Sequence, residues 1–453
     1  MSTDPIRVTD PAAITDTASM VLALNVFQRL MTAEPGESVL KPDAARDCLF
    51  TSSTTYTCTL NKKLYFHDGN PLTSSDVKFS IERAARLAIS GSSTALLSSL
   101  RRIETPDPMT VRFVLSRVDT QFGWALASPA ASIVDQHTYD ADEVRPPSAP
   151  IIGSGPFTVS SFHGKELRLE RYRNYVGRNP ARMNSLVYRT APDSASIEEA
   201  MSKRSVDVVW RGLNAAAITR FRQRAARSSD ERTADGYRMR ELTGVRIHEL
   251  EWAPESPMRP NKALRQAVTA ALQEDRTLDS ILPGGVPGHV SSLPVGGRAA
   301  PKVTWSNRIQ LTLAYDPTMP DGRDIATQIR TRLEDTGGLS VRVRPEESNA
   351  DLILVDRKAW TATALAWLQP YLEAPLPASK AAVARAERDY RSTTDDAEAT
   401  KHLVFLQTQA AQDGVVLPLS QGEEYLFARE GVDVNENSFG PGWQLGLFGM
   451  KSG

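Results

Sequence analysis

The chain is expected to fold as an α/β protein of two lobes, with mixed sheets flanked by helices. Three observations predict this. At 453 residues the polypeptide exceeds what one hydrophobic core usually serves, so two bodies are expected. Segments that alternate with a period of two repeatedly give way to segments with helical spacing, a pattern that favours sheets covered on both faces. The pattern restarts after Arg246-Ile247-His248-Glu249-Leu250, which marks a second unit.

Residues 15–32 space Met20, Leu22, Val26 and Leu30 at helical intervals behind a Thr/Asp cap and predict an amphipathic helix. Cys48 and Cys58 are the only cysteines, on the arms of a hairpin that turns at residues 51–54. Facing positions on such arms bring Cβ atoms within disulfide reach, and a bridge would imply an oxidising compartment. Two buried free thiols are the alternative. In LYFHDGNPLTSSDVKFSIER, residues 64–83, a strand ends at Asp68-Gly69, and Gly69 supplies the positive φ of a tight turn. A helix then begins near Ser74-Ser75-Asp76, whose side chains supply N-cap oxygens, and runs to about residue 90. A strand follows at 110–116, then a Pro-rich stretch at 145–150, strands at 157–162 and 166–172, a helix from Ser196 and a strand at 206–210. The arginines between 220 and 240 are interleaved with Asp230, Glu231 and Asp235 and read as a solvated helix face. Beyond Leu250 the expected order is helix 261–272, strand 309–315, helix 322–335, strands 339–344 and 351–355, helix 362–372, one long helix 379–412, and strands 414–419 and 424–428.

Composition excludes several classes of function. The 53 basic and 54 acidic side chains leave a formal charge of -1, which gives no electrostatic footprint for nucleic acid. No apolar run approaches the ~20 residues of a membrane helix. No basic-then-apolar leader is visible, and Met1-Ser2-Thr3-Asp4 reads as a mature start from which an export signal was removed. The six histidines are scattered without metal-ligand spacing. Ser154, in Gly-Ser-Gly, lacks a nucleophile elbow, and no phosphate loop ending in Lys-Ser/Thr occurs. No enzyme, cofactor or metal site is therefore expected.

Several blocks, in order, resemble the extracellular solute-binding proteins that serve peptide, nickel and oligosaccharide ABC importers (family 5, like dipeptide- and oligopeptide-binding proteins). They are Thr9-Asp10-Pro11-Ala12, Asn25-Val26-Phe27-Gln28-Arg29-Leu30, Pro42-Asp43-Ala44-Ala45, Thr55-Tyr56-Thr57, the Asp68-Gly69 corner with its Pro71-Leu72-Thr73 and Asp76-Val77, Gly153-Ser154-Gly155-Pro156-Phe157, Ser205-Val206-Asp207-Val208 and Leu264-Arg265-Gln266-Ala267-Val268. The resemblance implies a type II periplasmic-binding-protein-like fold whose lobes close over a ligand. Lobe I would take residues 1–249, with 36–150 an inserted subdomain, lobe II 250–419, and a return segment 420–453. Hinge strands would cross near 249–251 and 418–421.

The resemblance also implies a function: capture of an oligopeptide or peptide-like small molecule and delivery to an ABC permease driven by ATPase subunits. Such a protein would be an extracellular or periplasmic monomer, held to the membrane only through a lipid anchor outside this sequence. Family members that bind peptides carry an acidic anchor for the ligand ammonium in lobe II. A desolvated cation needs such a partner. Here those positions fall on Trp360 and Thr363, so the alternative is a cell-surface sensor or interaction protein with an altered cleft. The candidate ligand-binding residues are Trp210, Arg211, Asp356, Arg357, Trp360 and Trp443. Asp356 stands in for the cation partner or forms an ion pair with Arg357 and Lys358, Arg211 meets a carboxylate or lies in solvent, and the tryptophans wall the cleft or pack in the core.

Overall fold

In the computed structural model the described residues are 1–453 apart from 36, 38, 228–231, 234, 298–307, 362, 435–437, 441, 443 and 453; the side chains of 243–245 and 423 are also left aside. Helix α1 (Met20–Val26) is shorter than its sequence spacing predicts. Phe27 turns extended and Gln28 bridges to Ile133. All seven residues of α1 are buried, so the helix is a core element rather than an amphipathic one. A short pair, β1 (Met31–Ala33) and β2 (Leu40–Pro42), leads into the hairpin β3 (Ala45–Ser52) and β4 (Thr55–Leu60). Cys48 faces Cys58 across that ladder, and the two form a disulfide.

The Asp-Gly corner is a turn with one isolated bridge, Tyr65 to Pro71, rather than the end of a regular strand. Gly69 adopts φ +94°. Helix α2 (Ser74–Leu87) begins one residue after Thr73, which closes a capping box with Asp76. Strands β5 (Leu100–Asp107) and β6 (Thr110–Leu115) complete an antiparallel sheet in the order β3-β4-β6-β5. After the short α3 (Phe122–Ala125), strands β7 (Phe157–His163), β8 (Glu166–Arg171) and β9 (Ser185–Arg189) form a second antiparallel sheet. Helix α4 (Ser194–Ser202), strand β10 (Val208–Trp210) and helix α5 (Ala215–Arg227) follow. Helix α5 buries Ala217, Phe221 and Ala225 and turns its arginines outward.

The largest sheet runs through both bodies. Strand β11 (Tyr237–Trp252) is followed by α6 (Lys262–Ala271), β12 (Ile309–Tyr315), α7 (Gly322–Glu334), β13 (Leu339–Pro345), β14 (Leu352–Arg357), α8 (Ala364–Glu373), α9 (Lys380–Ser392), α10 (Asp396–Asp413) and β15 (Val416–Arg429). The strand order is β10-β15-β11-β14-β12-β13. The first three pairings are antiparallel, and β12 is parallel to both β13 and β14. One end of the long β11·β15 ladder lies beside β10 and the other beside β14, so these two strands cross between the lobes. Two irregularities interrupt the ladder, between Leu242 and Arg246 and between His248 and Glu249. The second leaves Leu419 as an extra residue on β15, which bends the strand locally. The segment expected as one helix over 379–412 is two, because Asp395 accepts hydrogen bonds from the backbones of Ala397 and Glu398 and restarts the chain as α10. The segments expected as two final strands are one continuous strand, β15. One apolar core gathers residues between Ile247 and Leu419 around β11, β12, β14, α6 and α8. Separate cores lie under α1 with β7 and β8, and under the disulfide-bearing sheet with α2.

The motif blocks meet in space. A Cβ at Gly153 would lie 2.1 Å from the Val26 carbonyl oxygen, and one at Gly155 2.6 Å from its carbon. Only glycine allows that approach. The Gly155 N–H donates to the Val26 carbonyl at 2.8 Å, while His67 of the Asp-Gly corner accepts from the Gly153 N–H at Nδ1 and donates from Nε2 to the Gly155 carbonyl. Burial lowers the His67 pKa to about 4, which keeps that tautomer neutral. Asp10, fully buried, accepts from Arg83 Nη1 at 3.0 Å and Nη2 at 2.5 Å, from the Arg145 N–H at 2.8 Å and from the Ala12 N–H at 3.1 Å. A buried ion pair is tolerable when its lone pairs are satisfied in this way. Replacing Arg83 by Met strands the carboxylate, and urea unfolding is expected to show a loss of roughly 3–5 kcal/mol, with Arg83→Lys recovering only part of it because an ammonium cannot make the forked contact.

Candidate functional site

Where β10 ends, Arg211 takes φ +59° and Gly212 φ +90°. A side chain at 212 would strike Ile197 Cδ1 at 2.7 Å and the Thr3 backbone nitrogen at 2.8 Å, so the chain turns on the glycine and Arg211 carries the strain. That turn sends the guanidinium between the lobes. Its Nη1 donates to Asp4 Oδ2 and its Nη2 to Asp356 Oδ2, each at 2.5 Å. Its Nε lies 3.6 Å from Glu424. Arg246, on the crossing strand, donates to the same Asp356 oxygen and to Glu424 at 3.2 Å. Lys358 pairs with Glu424 and stands 5.0 Å over the ring of Trp210. Three basic and three acidic side chains, all under a tenth exposed, thus form one cluster joining β10, β11, β14 and β15, in which burial raises the Asp4 carboxyl against the pull of Arg211 and Arg246.

The titration shifts follow from this packing. Burial alone would raise Asp356, but Arg246 and Arg211 outweigh it and hold the carboxyl below the usual carboxylate range. Burial likewise opposes the charge on Glu424, and Lys358 and Arg246 overcome it. Lys358 is lowered to about 8, chiefly by burial, with Glu424 acting against the change. Burial lowers His248, which shares a 3.2 Å hydrogen bond with Ser420.

Above this cluster opens a cleft of about 860 Å³, a size suited to a small organic ligand. Its walls include Arg7, Thr15 and Asp16 from the N-terminal segment and Glu251, Ile353, Arg357, Trp360, Gln369 and Glu373 from β11, β14, α8 and the segment between β14 and α8. Glu251 and Glu249 lie two apart on β11 with Arg357 beside them. Burial, and then the neighbouring Glu249 carboxylate, raise Glu251 to about 8. Arg357 contacts Glu249 at 3.0 Å, donates to the Trp367 carbonyl at the foot of α8 and stacks 5.4 Å from its ring. Across the rim, Gln369 donates to the Ser92 carbonyl at 3.0 Å and Arg7 meets Asp316 at 3.1 Å; away from the cleft lining, buried Arg391 reaches Asp119 at 3.5 Å.

The candidate residues divide accordingly. Arg211, Asp356, Arg357 and Trp360 line the cleft. Asp356 is already the partner of Arg211 and Arg246 rather than of Arg357 and Lys358. Arg211 meets side-chain carboxylates and is not in solvent. Trp210, 1% exposed, supports Lys358 from below and does not reach the cleft. Trp360, after β14, packs on Ile14, Met20 and Ala23 of the N-terminal segment. Trp443 lies outside the described residues. Sequence reasoning missed Arg246, Lys358 and Glu424 as site residues, and Glu251 as well; the signal available was charge placed inside otherwise apolar strands.

A two-lobed α/β chain whose halves share crossing strands above a cleft defines the type II periplasmic-binding-protein-like fold. More narrowly, the chain belongs to the bacterial extracellular solute-binding proteins, family 5 (Middle), whose family model matches residues 40–379. It is 29% identical over 215 residues to the probable D,D-dipeptide-binding periplasmic protein DdpA of Escherichia coli (strain K12), a match covering 45% of this chain. The matched stretch spans 41% of that relative's length. The dipeptide binding protein from Pseudoalteromonas sp. SM9913, solved with Met-Leu, superimposes with a TM-score of 0.84 at 16% identity, covering 100% of this chain and 99% of that one. AgaA of A. tumefaciens R10, solved with agropinic acid, gives a TM-score of 0.84 at 19% identity, covering 99% and 96%. At such identities the likeness establishes the fold.

Two outcomes are expected. Asp356→Asn leaves Arg211 and Arg246 undercompensated, and chemical denaturation should register a loss of about 3–5 kcal/mol. For Glu251 the folded pKa lies above the unfolded one, so its contribution to stability is complete below the unfolded value of about 4.5 and is lost as pH rises through about 8. Glu251→Gln should therefore flatten the dependence of Tm on pH across that window and raise Tm at its upper end.

Proposed function

We propose that this chain is the substrate-binding component of an ABC importer, which captures an oligopeptide or peptide-like small molecule between its lobes and delivers it to a membrane permease with an ATPase. The observation that carries this reading is the cleft of about 860 Å³ between two lobes joined by β11 and β15. Membership of the family, and the ligands named for DdpA, for the Pseudoalteromonas protein and for AgaA, point to small peptides and amino-acid-derived compounds as the class. A ligand that touches both walls binds the closed arrangement better than the open one and shifts the population toward closure by that difference. Turnover through a permease then requires only moderate affinity.

In this reading lobe I comprises residues 1–249, with 36–150 inserted, lobe II residues 250–419, and 420–453 return to lobe I. Arg211, Arg357 and Trp360 form the deep wall of the ligand site, with Asp356 fixing Arg211. The protein works outside the cytoplasm as a monomer, tethered by a lipid, and performs no catalysis. The Cys48–Cys58 bridge fits an oxidising location. Among the described residues no helix is long and apolar enough to cross a membrane.

Native mass spectrometry of protein purified from its own host is expected to show a retained small molecule. X-ray scattering of the stripped protein should then report a smaller radius of gyration when that molecule is restored. A profile unchanged by every retained compound removes the reading.

A further inference from the structure

A second cavity, of about 410 Å³, lies on the opposite face of the crossing strands from the cleft. Side chains two apart on a strand share a face. Arg246 and His248 of β11 line this cavity, while Glu251, three further on, lines the cleft. Arg211 and Asp356 line both, so their ion pair is the partition between the two spaces. One wall belongs to the end of β10 and to α5, through Leu213 and Ile218; the facing wall is the entry to α7, through Pro320, Asp321 and Ile325. Among the described residues, six that are not glycine stand at positive φ, and two of them, Arg211 and Asp321, lie on these facing walls. Asp321 precedes α7 without capping it, and its Oδ2 instead accepts from the Ala215 N–H at the start of α5, at 2.9 Å.

The floor of the cavity coincides with the place where the β11·β15 ladder can bend. Arg246–His248 is the short regular stretch between its two irregularities. The walls come from either side of that stretch, β10 and α5 at one end of the six-stranded sheet and α7, which follows β12, towards the other. A rotation about the stretch that parts the walls of the cleft brings α5 and α7 together, because the two spaces lie on opposite faces of the same strands. A molecule seated between α5 and α7 therefore opposes opening.

The lining also specifies the chemistry of that molecule. Leu213, Ile218, Ile325 and Phe427 give an apolar body a place to pack. The arginines of the lining are already matched, Arg211 by Asp356, Arg246 by Asp356 and Glu424, and Arg222 by Glu241. Asp321 has its backbone donor. An ion brought in here would lose its water and find no free counter-charge. His248 is left with an open position: Nδ1 shares a hydrogen bond with Ser420 at 3.2 Å, and Nε2 has no partner among the described residues. Burial lowers the pKa of this ring, so at pH 7 it is neutral and offers either a donor or an acceptor.

We infer that this cavity behind the crossing strands is a second binding site, for a small uncharged molecule whose apolar body carries one group able both to donate and to accept, such as a carboxamide, and that its occupant holds the lobes closed. Binding in the cavity stands on the lining alone; the effect on closure rests on the lobe motion of the capture reading.

Indole-3-acetamide tests this beside indole-3-acetate and tryptamine, which carry the same ring with a negative or a positive charge. Isothermal titration at pH 7.5 on the full chain is expected to give at least about tenfold tighter binding of the amide than of either ion. His248→Ala should weaken the amide roughly fivefold, the loss of one hydrogen bond. Ile218→Trp fills the cavity from a half-buried position of α5 and should abolish binding. Ala215→Trp blocks the exposed mouth instead, and serves if the first variant melts early. Small-angle X-ray scattering should give a smaller radius of gyration with the amide, and Ile218→Trp should give the same contraction unaided. Equal affinity for the three compounds, binding that survives both tryptophan variants, or a scattering profile that the amide leaves unchanged overturns the inference. None of these results touches the capture reading, which depends on the molecule retained in the cleft.

Discussion

Two arginines converge on one oxygen of Asp356, and the geometry of the cleft depends on that meeting. Arg211 comes from the end of β10, Arg246 from the crossing strand and Asp356 from β14, so the contact ties both lobes to the strands between them. Three buried cations and three buried carboxylates are unfavourable to desolvate one by one. Assembled together they compensate one another, and removing a partner of Asp356 or Glu424 leaves charge uncompensated in a low-dielectric site. A buried cluster of this kind adds less to net stability than to the choice of one arrangement: only a narrow range of lobe orientations brings all six groups into contact. The strained turn at Arg211-Gly212 is consistent with this, since a backbone held at positive φ persists only where surrounding contacts determine it.

In this chain three of the motif blocks owe residue types to packing. Gly153 and Gly155 are glycines because the Val26 carbonyl lies against them, His67 holds that loop from the Asp-Gly corner, and Asp10 is the fully satisfied partner of Arg83. These contacts connect residues more than fifty positions apart and fix the first lobe before any ligand is involved. The walls of the cleft are drawn from other residues than these.

Much of the fold was legible in the sequence. The Cys48/Cys58 hairpin, the Asp-Gly corner with its helix, and the alternation of strands and helices after Leu250 all follow from local spacing and capping. The failures have local causes too. The strands expected separately at 414–419 and 424–428 are one continuous β15, which carries Gly422 in its interior close to the irregular pairing opposite β11. Asp395 lies inside the span expected as one helix, 379–412, and its capping role appears only in the Ala397 and Glu398 N–H groups that donate to it. The site was less legible because its bonds are long-range. Arg211 and Asp356 could each be chosen as charged strand-end residues, but nothing local indicates that they bind each other across 145 positions. Buried charge within β11, at Arg246 and Glu249, was the available sign that this strand carries more than a hinge.

Trp360 reaches from one lobe into a socket of Ile14, Met20 and Ala23 on the other. Trp210, Trp252 and Trp367 sit within the core of a single lobe. Parting the halves withdraws the Trp360 indole from an oily seat into water while Trp252 and Trp367 keep their surroundings. The molecule thus carries its own optical gauge: the emission of this single ring should move to longer wavelength as the jaws spread.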